Sequence, residues 1–130
     1  MVNKGPEGKF RTKTVNELKK YNAKVINNVQ YMGETKSGMI LSPEPGVSDI
    51  TLIHPYTGII FLEFKSINGK LSAVQKRFLE EINLRVPYSG FVAWEDLIQG
   101  GILRCSDGIS YGSFNNGGEL IDIIRSLRNL

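Results

Sequence analysis

The chain has 130 residues, a length that suits one domain built around one core. Its apolar content of 41% and charged content of 22% are those of a globular protein and exclude a low-complexity or fibrous chain. A net charge of +3 is compatible with a polyanionic partner without specifying one, and Cys105, the only cysteine, excludes an intramolecular disulfide or a cysteine-based zinc cluster.

The first residues, Met1 to Gly8, lack an apolar signal core, and no apolar run is long enough to span a bilayer. The expectation is therefore a reducing, cytoplasmic setting with no membrane partner. Pro6 suits the first turn of a helix, where its missing N–H is not needed. Phe10, Thr14 or Val15, Leu18 and Tyr21 recur at helical spacing and predict a helix from Glu7 to Tyr21. Lys9, Arg11, Lys13, Glu17, Lys19 and Lys20 lie on its other faces. That basic side is either a solvated face or one that contacts phosphates.

Residues 24–30 read as a strand, and 33–45, rich in glycine and proline, as a loop. Asp49 to Ile53 and Ile59 to Lys65 predict a hairpin joined through His54 to Gly58, with His54 as a turn residue. Asn68-Gly69 marks a further turn. Ser72 and Gln75 have capping-box spacing at the start of a second helix, whose apolar stripe is Val74, Phe78, Leu79 and Ile82. Gly90 to Trp94 is a short, continuously apolar strand that suits a central place in a sheet. Glu95 to Gln99 reads as one helical turn, Gly100 to Tyr111 as an edge hairpin containing a small buried Cys105, and Glu119 to Leu127 as a closing helix. The order is helix, three strands, helix, strand, then a strand-and-helix extension. A helix crossing between strands of one sheet makes this a single α/β domain.

Glu63 and Lys65 stand out because charged groups in an apolar strand are costly to desolvate. Two residues apart, they project from one face. A simple hairpin centred near Tyr56 or Thr57 sets Asp49 opposite them on the matching face. Two carboxylates that close repel each other unless a cation lies between them. Hard oxygen donors suit Mg²⁺ or Mn²⁺, and the backbone carbonyl of Phe64 is a further oxygen beside them. Lys65 is then placed to orient a water or to offset charge on a phosphoryl group. The chemistry that fits is metal-assisted phosphodiester hydrolysis.

Gly46-Val47-Ser48-Asp49, Glu63-Phe64-Lys65 and Leu71-Ser72-Ala73-Val74-Gln75-Lys76 resemble, in order and spacing, the PD-(D/E)XK nuclease superfamily. Within it they look most like the VRR-NUC branch, whose pattern is Gly-x-Pro-Asp, Glu-Val-Lys and a Leu-Ser-x-x-Gln helix start. The resemblance covers most of Glu7 to Trp94. Ser48 stands where the family pattern has proline, and Phe64 where it has a β-branched residue. The resemblance implies a restriction-endonuclease-like αβββαβ core with a mixed central sheet. It implies Asp49 and Glu63 as metal ligands, Lys65 as the catalytic lysine and Gln75 as a further active-site residue. The family also tends to place a glutamate on the first helix, for which Glu7 is the best-placed candidate and Glu17 the other. It implies a DNA endonuclease acting on nicked, flapped or four-way-junction DNA, like small virus-encoded members that pair as homodimers.

Each residue also has a plainer reading. Gln75 can serve only as a capping-box residue, and Glu7 can merely complement the helix dipole. Lys70, Lys76 and Arg77 flank the start of the second helix as candidate phosphate contacts, although exposed cations are common there. A non-catalytic junction-binding protein is the alternative function, and a protein–protein module with an ion-paired sheet a third. One histidine in the chain argues against a Ser–His hydrolase built on Ser48.

Overall fold

Two antiparallel strands, β4 (Ile50–His54) and β5 (Gly58–Lys65), form the centre of the computed structural model, which describes residues 5–28, 33–35, 38–40 and 45–129. Ile50 pairs with Leu62 and His54 with Gly58, so the turn is centred on Tyr56, as the sequence suggests. His54 accepts the Tyr56 N–H on Nδ1 (3.0 Å) and donates from Nε2 to the Tyr21 carbonyl (2.8 Å). It is therefore a structural residue of the hairpin.

Ahead of this hairpin, helix α1 (Pro6–Lys20) buries Phe10, Thr14, Val15 and Leu18, and strand β1 (Lys24–Asn27) pairs antiparallel with β4. Tyr21, expected to close the apolar stripe, caps α1 and is 42% exposed. Two short strands, β2 (Gly33–Thr35) and β3 (Gly38–Ile40), pair with each other where a loop was expected. The rest of that expected loop up to residue 44, and residues 29–30 of the expected first strand, lie outside the described residues.

After β5, helix α2 (Ala73–Arg85) crosses to strand β6 (Gly90–Glu95), which pairs parallel with β5. Strands β7 (Gly101–Arg104) and β8 (Ser110–Phe114) continue antiparallel, and helix α3 (Gly117–Arg128) closes the chain. The main sheet runs β1-β4-β5-β6-β7-β8. The fold is thus α/β, a six-stranded mixed sheet flanked by three helices. The C-terminal part is more than a strand-and-helix extension, because two strands join the main sheet and α3 packs on α1. Glu95 ends β6 and residues 97–100 form bends rather than the expected helical turn, with the Asp96 carboxylate accepting the N–H groups of Ile98 and Gln99. No helix among the described residues is long and apolar enough to cross a membrane.

Alternation along β5 sorts its side chains between two layers. Ile60, Leu62 and Phe64 join the fully buried core with Leu18, Leu120 and Ile124, and Phe10 of α1 meets Phe64 edge-on at 5.8 Å. Each such large apolar side chain contributes roughly 1.5–3 kcal/mol of burial. On the other face Phe61 meets Phe78 of α2 edge-on at 5.7 Å. Leu79 is the buried residue of α2, whereas Val74, assigned from its spacing to the apolar stripe, is 47% exposed. Glu63 and Lys65 belong to this α2-facing row, at the carboxyl end of β5.

Candidate active site

The carboxyl ends of the parallel pair β5 and β6 lie where the chain leaves for α2, the kind of position at which open α/β sheets present their sites. Lys65 pairs there with Trp94, whose ring carries the Arg104 guanidinium 5.1 Å from its centre. The first turns of two helices also reach this end of the sheet. Glu7 of α1 lies 3.9 Å from Lys65 Nζ, and Gln75 of α2 donates from Nε2 to Glu63 Oε2 at 2.8 Å.

Asp49 lies one residue before β4 and opposite Glu63 by continuation of the hairpin register. Its Oδ2 accepts the Phe64 N–H at 2.8 Å, and its Oδ1 faces Arg11 Nη1 at 3.4 Å. Residues in a hydrogen-bonded antiparallel pair send N–H and C=O to the same neighbour. Phe64 therefore directs its carbonyl to the same edge as its N–H, past the point where β4 begins. Lys65 Nζ lies 3.5 Å from Glu63 Oε2 and bridges toward Glu7. One carboxylate oxygen each from Glu7, Asp49 and Glu63 lie within 4.8 Å of one another. Glu17, the other helix-one candidate, points elsewhere and pairs with Lys20 at 3.0 Å.

Glu63 is 1% exposed, and its Oε1 is buried without a hydrogen-bond partner among the described residues. A buried, unpaired carboxylate oxygen is expensive. Burial, then the charge of Asp49, push the Glu63 carboxyl up to about 8, against the pull of Lys65. Burial also raises Asp49, opposed by the Phe64 N–H, Arg11 and Lys65. Without added positive charge, burial and mutual repulsion thus favour the protonated form of the Asp49–Glu63 pair. With such charge, it offers an oxygen that already faces no protein donor.

Gln75 closes the capping box and also reaches Glu63. Its Oε1 accepts the Ser72 N–H at 3.0 Å while the Ser72 hydroxyl accepts the Gln75 N–H at 3.1 Å, closing the capping box. Its amide nitrogen remains free to hold Glu63. Gly46 explains the spacing between Asp49 and this helix start. It adopts φ +76°, and a Cβ there would run into the Val74 carbonyl. Ser48 is buried with its hydroxyl donating to the Ile50 carbonyl at 3.0 Å, so it is engaged in the backbone.

The basic residues divide. Lys9 and Lys13 are exposed and line a shallow groove with Glu95 to Gly100, beyond the end of β6. Lys70, Lys76 and Arg77 are exposed around the start of α2. Arg11 differs from all of these, because it is half-buried against Asp49. Its position one helical turn after Glu7 sets both on one face, but spacing alone does not mark Asp49 as the partner. Cys105 is not a buried apolar residue. It is half-exposed, with its thiol on the Asp107 carboxylate in the tight turn before β8.

A comparison with known proteins finds no matching family model, no matching curated protein and no matching solved structure. The functional reading therefore rests on the residues themselves.

Proposed function

We propose that the protein is a Mg²⁺- or Mn²⁺-dependent DNA endonuclease with a restriction-endonuclease-like core of the VRR-NUC kind. The observation that carries this reading is Glu63 Oε1, buried and unpartnered, within a cluster that also gathers Asp49, Glu7 and Lys65. A purely structural ion pair has no use for three converging carboxylates around one ammonium group. Oxygen donors alone, with no thiol or imidazole, match a hard divalent cation. Asp49 and Glu63 would hold it, with the Phe64 carbonyl as a further donor and Glu7 as a third carboxylate. When bound, such an ion lowers the pKa of a water and offsets charge on a phosphoryl oxygen.

The chain's own groups then have distinct tasks. Gln75 fixes the rotamer of Glu63 through Oε2 and leaves Oε1 to the site. The Phe64 N–H fixes Asp49 in the same way. Lys65, held between Glu63 and Glu7, is assigned the ammonium that acts on the attacking water and the phosphodiester. It orients the water before attack and offsets the negative charge that grows on the phosphoryl oxygens as the P–O bond to the leaving strand breaks. Exposed Lys9, Lys13, Lys70, Lys76 and Arg77 supply contacts to the DNA backbone, which position without reading sequence. The preferred target in this reading is a branched or nicked duplex and the acting form a homodimer, as the resemblance to the VRR-NUC branch implies.

The test is incubation with supercoiled, flapped and four-way-junction DNA in Mg²⁺, Mn²⁺ or EDTA. Cleavage that requires metal and is lost in Asp49→Ala and Lys65→Ala supports the nuclease. Binding without cleavage in any metal replaces it with a junction-binding protein, and no affinity for DNA at low salt removes both.

A further inference from the structure

Arg11 is the one basic side chain of the exposed α1 face that turns inward, and its partner is a proposed cation ligand. This inference rests on the reading of the site given above. Asp49 uses both oxygens within the protein: Oδ2 on the Phe64 N–H at 2.8 Å, and Oδ1 on Arg11 Nη1 at 3.4 Å. The two contacts differ in kind. The first is to a backbone group fixed within the sheet and cannot yield without unravelling the end of the hairpin. The second is long, partly exposed (30% for the Arg11 side chain, 16% for Asp49) and made by a side chain with four rotatable bonds. A contact at that distance, open to solvent on the arginine side, is a weak tether. Oδ1 is therefore the oxygen of Asp49 that can be released.

We propose that Arg11 is an exchangeable counter-ion: it neutralises Asp49 while the cation site is empty, and on cation binding it leaves Oδ1 and becomes a phosphate ligand for the DNA. The same guanidinium thus holds the acidic cluster together before loading and contributes to substrate binding only after loading. Its position suits both states. Arg11 follows Glu7 by one helical turn on the same face of α1, so a change of rotamer moves the guanidinium without taking it away from the site. An Arg fork matches two phosphate oxygens, which a lysine ammonium does not. DNA phosphate is then drawn to a site that already holds its cation, because in the empty site Arg11 is occupied and the carboxylates repel the polyanion.

This makes opposite-signed predictions for one substitution. In Arg11→Ala, Mn²⁺ binds the metal-free protein more tightly, by about two- to fivefold, the loss of a weak competing ion pair. Affinity for a labelled four-way junction in Ca²⁺, which loads the site while suppressing cleavage, falls about five- to twentyfold, as for a lost charge-assisted contact. Junction affinity in EDTA stays within about twofold of wild type, because Arg11 is engaged there. Arg11→Lys restores most of the Mn²⁺ competition but only part of the junction affinity in Ca²⁺. Thermal melting verifies that both variants fold.

Three results overturn the proposal. Mn²⁺ affinity unchanged or weaker in Arg11→Ala shows that Arg11 does not compete for Asp49. Equal losses of junction affinity in EDTA and Ca²⁺ show an ordinary phosphate-binding cation. No Mn²⁺ binding by the wild type overturns both this proposal and the metal-dependent nuclease. Either of the first two results, with Mn²⁺ still bound by the wild type, overturns only the exchange.

Discussion

Gln75 donates from its amide nitrogen to Glu63 Oε2 at 2.8 Å while its amide oxygen caps the helix that carries it. One side chain thus ties the start of α2 to the carboxylate at the end of β5, and helix position and site geometry cannot vary independently. Gln75→Ala should lower stability by about 1 kcal/mol, the usual loss for a cap, and lower cleavage by about tenfold or more, as for an outer partner of a ligand. Gln75→Glu preserves the cap acceptor but adds a carboxylate beside Glu63. It should therefore melt close to wild type at pH 5 and well below it at pH 8. Thermal melts at the two pH values, beside a cleavage time course, check both variants.

Glu63 also sets a pH dependence of stability. Its carboxyl is raised from 4.5 to about 8 by burial and by the charge of Asp49. Between those values the folded protein keeps a proton that the unfolded chain has released, so the folded state binds more protons and stability falls as pH rises. Asp49, also raised, has the same sign. The metal-free protein should therefore be most stable at the acidic side of this window and lose stability toward pH 8. Glu63→Gln should remove much of that slope and be more stable than wild type at pH 8 by on the order of 1 kcal/mol or more. Chemical denaturation across the range, in EDTA, reads the effect.

The spacing Gly46-x-x-Asp49 carries a backbone requirement. Gly46 sits at φ +76° against the Val74 backbone. Gly46→Ala should destabilise by about 1–3 kcal/mol and displace α2 with its Gln75, so that cleavage falls more than the melting temperature suggests. Measuring cleavage well below the melting temperature separates the two effects.

Glu7 and Glu17 are alternatives in the sequence and are separated by the fold. Glu7 approaches Lys65 at 3.9 Å, whereas Glu17 pairs with Lys20 at 3.0 Å near the other end of α1. Glu7→Gln should reduce metal-dependent cleavage by about tenfold or more, as for a lost charge beside the reacting group. Glu17→Gln should leave it within about twofold, as for an exposed pair. Parallel rate measurements at saturating Mg²⁺ decide.

The central hairpin was legible because two rules acted together. A turn at His54 to Gly58 fixes the register, and period-two alternation then places Asp49 opposite Glu63 with Lys65 on the same face. The capping box was legible from Ser72 and Gln75 for a similarly local reason. The Arg11–Asp49 contact joins residues 38 positions apart and depends on how α1 lies across the sheet, which periodicity does not encode. Val74 has the spacing of a core residue, but it lies where Gly46 passes over α2 rather than over the sheet. Strands β2 and β3 carry glycines at their ends and lack the alternating pattern that marks a half-buried strand. The order of α1, β1, β4, β5, α2 and β6 follows from local signals. The joining of β7 and β8 to the same sheet, by contrast, is a long-range pairing.

The most direct measurement of the central claim is strand scission of a labelled four-way junction by wild type and Glu63→Gln, each in Mg²⁺ and in EDTA. The account predicts cleavage by wild type in Mg²⁺ alone, and a loss on the order of a hundredfold or more in a folded Glu63→Gln, as expected when a catalytic metal ligand is removed. Scission that persists in EDTA, or a Glu63→Gln protein that cuts at the wild-type rate, would contradict it.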